Sequence, residues 1–204
     1  HQFEFPPHVL YNDARVPADE RNLALLAKRT LEMDVPEMMA SIMVERPEQP
    51  WEFHLDFSRQ LWDEARHAMM GEVGFANLGI DWRKVMINFT WSMALNKQLK
   101  PLERHAVLYF IEQGLMPKTG KRFEWEVGLA SHNPLSALFQ DYDWADEVLH
   151  AALGREWYIP QIGRWKEALE YGDQCWSRIV SNWASVRDQG LTEHANWWPE
   201  VYHQ

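Results

Sequence analysis

The sequence contains a single cysteine, no cluster of basic residues and no long apolar run. Cys175 alone excludes an internal disulfide and fits a reducing compartment. Lysine and arginine occur singly or in pairs and the formal net charge is −10, which disfavours nucleic acid because phosphate binding rests on clustered cations. No apolar stretch approaches the roughly 18 residues of a membrane span, and no signal-like start is present. We therefore expect a cytoplasmic protein that binds neither nucleic acid nor membranes.

The alternation of apolar and polar residues that is typical of strands is also absent, whereas apolar residues recur at helical spacing. The 204 residues suffice for one domain with a substantial core. We predict an all-α fold with an extended N-terminal arm over 1–18, a helical domain over 19–189 and a tail over 190–204. Its predicted helices span 19–45, 50–71, 82–98, 101–114, 134–154 and 162–189. Asp19 is expected to cap the first, Pro36 to perturb it, and 117–133 to be irregular.

Two segments of the sequence share one pattern. "LWDEARHAMMG" at 61–71 and "DWADEVLHAALG" at 143–154 both contain Trp, then Asp-Glu-x-x-His-Ala, then Gly. Residues three apart lie on one face of a helix, so the Glu and His of each motif can bind the same ion. Carboxylate oxygen with imidazole nitrogen suits iron, manganese or zinc. Glu64, His67, Glu147 and His150 are therefore candidate metal ligands.

Glu-x-x-His alone occurs about once by chance in a chain of this composition. Glu200 and His203 also match it, but Pro199 precedes Glu200 where the other two motifs have Asp. We interpret this third match as chance. Singly, each remaining motif is compatible with an ordinary surface ion pair, and their repetition is what favours a metal site.

A dinuclear site in a four-helix bundle needs one further Glu from each of two more helices. Glu64 lies 15 residues after Gln49, and Glu32 lies 14 residues before Arg46, so the two acids meet at one level of an antiparallel helix pair. Glu37 would be displaced by about 7 Å along the axis. Glu32 is therefore the better candidate on the first helix.

On the third bundle helix the candidates are Glu103 and Glu112. Glu103 falls in the first turn after Pro101, where the helix dipole ordinarily explains a carboxylate. Glu112 lies within "VLYFIEQGL", where an ionised acid is costly unless a cation compensates it. We therefore predict Glu112 as the ligand.

The aspartates that precede the motif glutamates are candidates for orienting the histidines. A metal-bound histidine usually donates its other N–H to a carboxylate. Across the site, this assigns Asp63 to His150 and Asp146 to His67. Asp143, one turn before Glu147, fits a ligand, an outer partner or an ordinary solvated Asp.

The segments "LEMDVPEMM", "RPEQP", "WDEARHAMMGEVG", "YFIEQGLMP" and "DEVLHAALGREW" give the chain a family resemblance over roughly 20–157. It resembles the ferritin-like di-iron carboxylate superfamily, and more narrowly a bacterial ferritin-like family related to a tRNA hydroxylase. The resemblance implies a four-helix bundle with a long crossover between its second and third helices, here followed by an extra C-terminal helix. The implied ligands are Glu32, Glu64, His67, Glu112, Glu147 and His150, with Glu32 and Glu112 as metal-bridging carboxylates.

The resemblance further implies two metal ions, Fe/Fe or alternatively Mn/Fe, and an oxidase or monooxygenase that activates O2 with an electron donor. We expect a small, largely apolar substrate enclosed by some of the twelve Trp and nine Met, although a Trp-rich core explains them as well. Tyr109, Tyr142 and Trp144 are candidate redox or pocket residues, with packing as the alternative. A homodimer is compatible with the sequence.

Three other functions remain open at this point. Metal storage is disfavoured by the two histidines, since storage-type sites commonly lack the second. tRNA hydroxylation is disfavoured by the acidic charge. A scaffold protein that retains its ligands is compatible with the sequence.

Overall fold

A computed structural model describes residues 7–85, 90–118 and 120–188, and all regular structure in these ranges is helical, which confirms the all-α class. The α-helices are α1 (Pro7–Asn12), α2 (Ala18–Leu31), α3 (Asp34–Glu45), α4 (Trp51–Asn77), α5 (Thr90–Gln98), α6 (Pro101–Gly114), α7 (Lys121–Ala130), α8 (Pro134–Trp157), α9 (Ile159–Ile162) and α10 (Trp165–Asp188). A single 3-10 turn covers Trp82–Lys84. Within the described ranges, no helix has the length and hydropathy of a membrane span.

Four walls surround the interior: the broken pair α2–α3, then α4, α8 and α6. α4 packs against α2 and α3 on one side and α8 on the other, while α6 contacts both α8 and α3 and so closes the ring. α7 covers the α2 and α8 side, and α10 packs along α6. The interior is therefore lined by helices that are distant in the sequence.

An apolar core occupies the end of the molecule next to the turn between α3 and α4. Its centre is formed by the fully buried Ile42, Phe53, Phe57, Val107 and Ile179. Burying a side chain of this size stabilises the fold by about 1.5–3 kcal/mol. This core fixes α3, α4, α6 and α10 relative to one another and leaves the other half of α4 free for polar residues.

The predicted first helix is in fact two helices, which break at Glu32 and Met33. Pro36 explains the break, because its ring would clash with the carbonyl of Glu32 and it has no N–H to continue the hydrogen-bond ladder. The prediction of Asp19 as the cap is wrong: α2 begins at Ala18, and no side chain caps it.

Two helices extend beyond their predicted ends, α4 to Asn77 and α8 to Trp157. The predictions stopped at glycines, but these glycines permit close packing. A Cβ at Gly71 would lie 2.7 Å from the Leu26 carbonyl oxygen of α2. A Cβ at Gly154 would overlap the ring of Tyr109.

Residues 121–130, predicted to be irregular, form helix α7. Phe123 and Val127 lie four residues apart and pack with Leu25 on α2. The predicted breaker "KTGK" ends at Lys121, which is the first residue of this helix.

Residues 7–12, predicted to be extended, form a helical turn whose Tyr11 is buried against the same cluster. The predicted helix over 82–98 is also reduced, to the turn Trp82–Lys84 and α5, while 86–89 lie outside the described residues. The last helix begins at Trp165, after Gly163 with a φ of 118° has turned the chain.

Candidate metal centre

The structure brings all six predicted ligands into one buried cluster between the four walls. Glu32 caps the C-terminus of α2, where the break before α3 ends the helix. The other five are at most 4% exposed as residues, and the Glu32 side chain is 14% exposed. These five are Glu64 and His67 on α4, Glu112 on α6, and Glu147 and His150 on α8.

One half of the cluster is centred on His150. Its Nδ1 lies 3.1 Å from Glu64 Oε1, 3.4 Å from Glu147 Oε2 and 3.7 Å from Glu112 Oε1. One ligand atom from each of these four residues lies within 4.8 Å of the others. Three carboxylates and an imidazole from three helices thus converge on one point, which we call the His150 position.

The other half is centred on His67 and is called the His67 position. Its Nδ1 lies 3.6 Å from Glu64 Oε2 and 3.7 Å from Glu32 Oε2. Asp143 Oδ1 is closer still, at 3.3 Å, so Asp143 lies among the ligands rather than in solvent. The two imidazole rings are 5.8 Å apart between centroids.

Two carboxylates belong to more than one group of potential ligands. Glu64 belongs to the groups at both positions, and Glu147 belongs to one group with His150 and to another with His67. Glu32 and Glu112 each belong to one group, and the bridging role predicted for them stays a prediction.

Each of the six predicted ligands has one buried atom without a hydrogen bond. The atoms are Glu32 Oε2, Glu64 Oε1, His67 Nδ1, Glu112 Oε2, Glu147 Oε2 and His150 Nδ1. A buried polar atom without a hydrogen bond typically costs about 1–3 kcal/mol. The ion pair with Arg29 offsets part of this cost for Glu32 Oε2, and the other five atoms require a common explanation. Metal ions bound by these oxygens and nitrogens would provide it.

The far nitrogen of each histidine contacts the aspartate that the sequence assigned to it. Asp146 Oδ2 lies 3.0 Å from His67 Nε2, and Asp63 Oδ2 lies 3.4 Å from His150 Nε2. Arg66 Nη2 connects the two aspartates, at 3.0 Å from Asp63 and 2.5 Å from Asp146. These contacts leave each Nδ1 directed at the cluster.

Two fully buried cations in the cluster were not predicted. Lys121 Nζ lies 2.8 Å from Asp143 Oδ2 and 2.7 Å from Glu147 Oε1. Arg29 Nη1 contacts Asp143 and lies 3.0 Å from Glu32 Oε2, while its Nη2 lies 3.0 Å from Glu124. The spacing of three residues from Arg29 to Glu32 is a local signal for an ion pair within one helical turn. Lys121 gave none, because its segment was interpreted as irregular.

The protonation of the cluster follows from its burial. Burial raises the pKa of Glu112 well above its usual range, and repulsion by Glu147 adds to the shift. Burial also raises the pKa of Glu32 to about 7, although Arg29 opposes the shift. Burial would also raise the pKa of Glu64, but the protonated imidazoles of His150 and His67 outweigh it and lower the pKa to about 2.

Both histidines hold protons strongly in the metal-free cluster. Burial alone would lower the pKa of His67, but Asp146 and Glu64 outweigh it and raise the pKa to about 10. The pKa of His150 is likewise raised well above its usual range, against the effect of burial. Protons thus offset part of the carboxylate charge when no metal is bound.

A charge count is consistent with two divalent ions. The cluster and its outer partners include eight carboxylates: Glu32, Glu64, Glu112, Glu124, Glu147, Asp63, Asp143 and Asp146. They include four cations that are at least half-buried: Lys28, Arg29, Arg66 and Lys121. With neutral imidazoles, eight negative and four positive charges leave −4, which two divalent ions would balance.

The predicted redox or pocket residues have different surroundings. Tyr142 is 54% exposed on the outward face of α8, so it does not line the cluster. Trp144 is half-buried. Tyr109 is buried but packs against Tyr158, and its hydroxyl lies 3.4 Å from Gln113. Packing explains the position of Tyr109.

Some of the tryptophans and methionines expected around a substrate are exposed. Trp51 and Trp62 are 74% and 57% exposed, and Met69 is 46% exposed. These three lie on the face of α4 opposite the cluster, because their helical positions differ from those of Glu64 and His67 by about half a turn. They do not enclose the site within this chain.

Comparisons with protein-family models, curated proteins and solved structures find no match to this chain. The geometry of the cluster therefore provides the basis for interpreting its function.

Proposed function

We propose that the chain is a ferritin-like protein that binds two transition-metal ions and uses them for O2-dependent oxidation of a small, largely apolar substrate. The observation that carries the proposal is the set of buried atoms that lack a hydrogen bond, one on each of six side chains that face one another. The ring of walls α2–α3, α4, α8 and α6 supports the four-helix arrangement. The segment over 78–100 supports a long crossover between α4 and α6.

The ligand set divides between the two positions. Glu112 and His150 would hold one ion and Glu32 and His67 the other, with Glu64 and Glu147 available to both. Oxygen-rich sites with one imidazole per ion suit iron and manganese, so we propose Fe/Fe, with Mn/Fe as the alternative. When reduced, such an ion pair supplies electrons to O2, and a donor outside this chain would restore them.

The other residues of the cluster orient the ligands and keep out water. Asp63 and Asp146 fix the histidine rings with Nδ1 inward, an outer contact that typically affects metal affinity 10- to 100-fold. Gln60 is 2% exposed and donates a hydrogen bond of 3.4 Å to Glu112 Oε1, which leaves Oε2 as its free ligand atom. The buried positions of these groups restrict the access of solvent to the centre.

Metal analysis and oxygen consumption test the proposal. Protein that is loaded anaerobically with Fe²⁺ should bind two ions per chain. On exposure to air it should consume O2 and develop near-ultraviolet absorption from ferric iron. Glu112→Gln should reduce occupancy and O2 consumption at least tenfold, because it removes one charged ligand while preserving the shape of the side chain. Glu37→Gln, an exposed acid on α3, is the matched control and should behave like the wild type.

Three outcomes would contradict the proposal in different ways. No tightly bound metal would refute the site itself. A colourless protein that binds only zinc would refute the O2 chemistry. Uptake of many iron ions per chain into a large shell would favour storage.

A further inference from the structure

The two metal positions differ in the positive charge around them. Lys121 and Arg29 both contact Asp143, whose Oδ1 is 3.3 Å from His67 Nδ1. Arg29 also pairs with Glu32, a ligand of the His67 position alone. A cation that enters the His67 position therefore meets two fixed positive charges and carboxylates that these charges already neutralise.

Among the described residues, the His150 position has one such neighbour, Lys121, and lacks a contact with Arg29. In the ion pairs of the described chain, Glu64 and Glu112 contact only histidines. Glu147 contacts Lys121 through Oε1, while its Oε2 faces His150. Lys121 therefore occupies one oxygen of Glu147 and leaves the other directed at the His150 position.

We propose that the centre fills in a fixed order: a divalent ion binds first and tightly at the His150 position, and Lys121 weakens the second ion at the His67 position. This inference rests on the proposed metal binding and assigns Lys121 as a positioning residue. Since charges a few ångströms apart interact strongly in a buried site, we expect at least about a tenfold difference between the two dissociation constants.

Titration with Mn²⁺ under metal-free conditions tests the order of filling. Electron paramagnetic resonance should show one isolated bound Mn²⁺ up to one equivalent and a spin-coupled pair only at higher concentration. Lys121→Gln should tighten the second dissociation constant about tenfold or more and the first by a smaller factor, because at the His150 position Lys121 contacts only the Glu147 oxygen that is directed away from His150. Lys121→Arg, which retains the charge, should retain the weak second step.

Lys28→Gln is the matched control, because Lys28 contacts Glu124 but none of the six ligands. Coupled pairs from the first additions of Mn²⁺ to the wild type would overturn the inference, and this result does not depend on whether the variants fold. An unchanged second constant in folded Lys121→Gln would also overturn it. Absence of any bound Mn²⁺ or Fe²⁺ would instead refute the proposed function.

A second, independent observation concerns the outward face of α4. Five large apolar side chains are exposed there: Trp51 by 74%, Leu55 by 57%, Trp62 by 57%, Met69 by 46% and Val73 by 52%. At 3.6 residues per turn, all five lie within an arc of about 40° and along about 33 Å of the helix. A contiguous apolar patch of this kind on the surface usually marks an interaction site.

The order of these residues is symmetric about Trp62. Leu55 and Met69 lie seven residues on either side of it, and Trp51 and Val73 lie eleven residues on either side. An antiparallel pair of α4 helices with a two-fold axis at Trp62 would place Trp51 opposite Val73 and Leu55 opposite Met69. A two-fold interface requires a surface that is complementary to itself in this way.

The exposed area is also sufficient for a dimer. The two tryptophans expose about 300 Å², since a large aromatic side chain presents up to roughly 250 Å². With the three aliphatic side chains the stripe offers roughly 600 Å² per copy, or about 1,200 Å² in total, which reaches the range of stable interfaces. We infer that this stripe joins two copies of the chain through antiparallel α4 helices.

Light scattering after gel filtration tests the interface. The wild type should have twice the chain mass of 24.2 kDa, and Trp62→Glu should give a monomer with unchanged helical circular dichroism, because the two introduced carboxylates would face each other at the axis. Trp165→Glu is the control, since Trp165 is 52% exposed on α10 and should leave the dimer intact. A monomeric wild type at 100 µM would overturn the inference, and it is the result expected if a segment of the same chain covers the stripe instead. A Trp62→Glu variant that remains dimeric would also overturn it.

Discussion

The free energy of unfolding should depend on pH partly through His105, which lies outside the metal centre. Its ring is 1% exposed, and neither nitrogen has a hydrogen-bond partner. It packs edge-on against Phe57 at 4.8 Å between centroids and also contacts Tyr158. Burial, with a smaller contribution from the charge of Arg46, lowers the pKa of His105 to about 3.

The sign of the effect follows from where the proton binds. In the unfolded chain His105 has a pKa of about 6.5, so below that pH the unfolded state takes up a proton that the folded state excludes. The contribution is fully present above about pH 6.5 and is lost as the pH falls toward 3. At pH 5, 1.5 pH units below the unfolded value, the loss is about 2 kcal/mol at 1.36 kcal/mol per unit.

Urea unfolding of metal-free wild type and His105→Phe at pH 7, 6 and 5 measures this term. The difference between the two free energies of unfolding should change by about 2 kcal/mol from pH 7 to pH 5, in favour of the variant. Carboxylate contributions are common to both proteins and cancel. A difference that stays constant with pH would refute the buried neutral state of His105.

Three further predictions concern the metal centre and the packing around it. Asp146→Asn should weaken metal binding at His67 by about 10- to 100-fold in a competition titration with a chelator, and an unchanged affinity would show that the contact does not orient the ring. Metal removal should lower the free energy of unfolding by about 2.7 kcal/mol relative to protein held at 100 times the dissociation constant, and identical urea midpoints would contradict this. Gly154→Ala should destabilise the protein by about 1–3 kcal/mol because the new Cβ overlaps the Tyr109 ring, whereas wild-type stability would mean that the ring moves freely.

The cluster residues that could be predicted are those marked by a short-range pattern in the sequence. Glu64 with His67, and Glu147 with His150, are fixed by a spacing of three within one helix. Glu32 required only a count of residues from a turn. The fold class was predictable for the same reason, since helical periodicity is local.

The residues that were missed depend on contacts between distant segments. Lys121 reaches Asp143 only because α7 packs across α2 and α8, and the turn-like "KTGK", which includes Lys121 itself, concealed the start of that helix. Arg29 is buried by the same packing. Glycines were misleading as well: Gly71 and Gly154 look like helix ends in the sequence, but they allow other elements to approach.

Arg66 contacts the aspartates of both histidines and is itself 36% exposed. Its guanidinium therefore contacts solvent on one side and, through the two aspartates, is linked to both imidazole rings on the other. An anion or a change in ionic strength at this one surface point would act on both halves of the centre together. Replacing either aspartate would affect only one half.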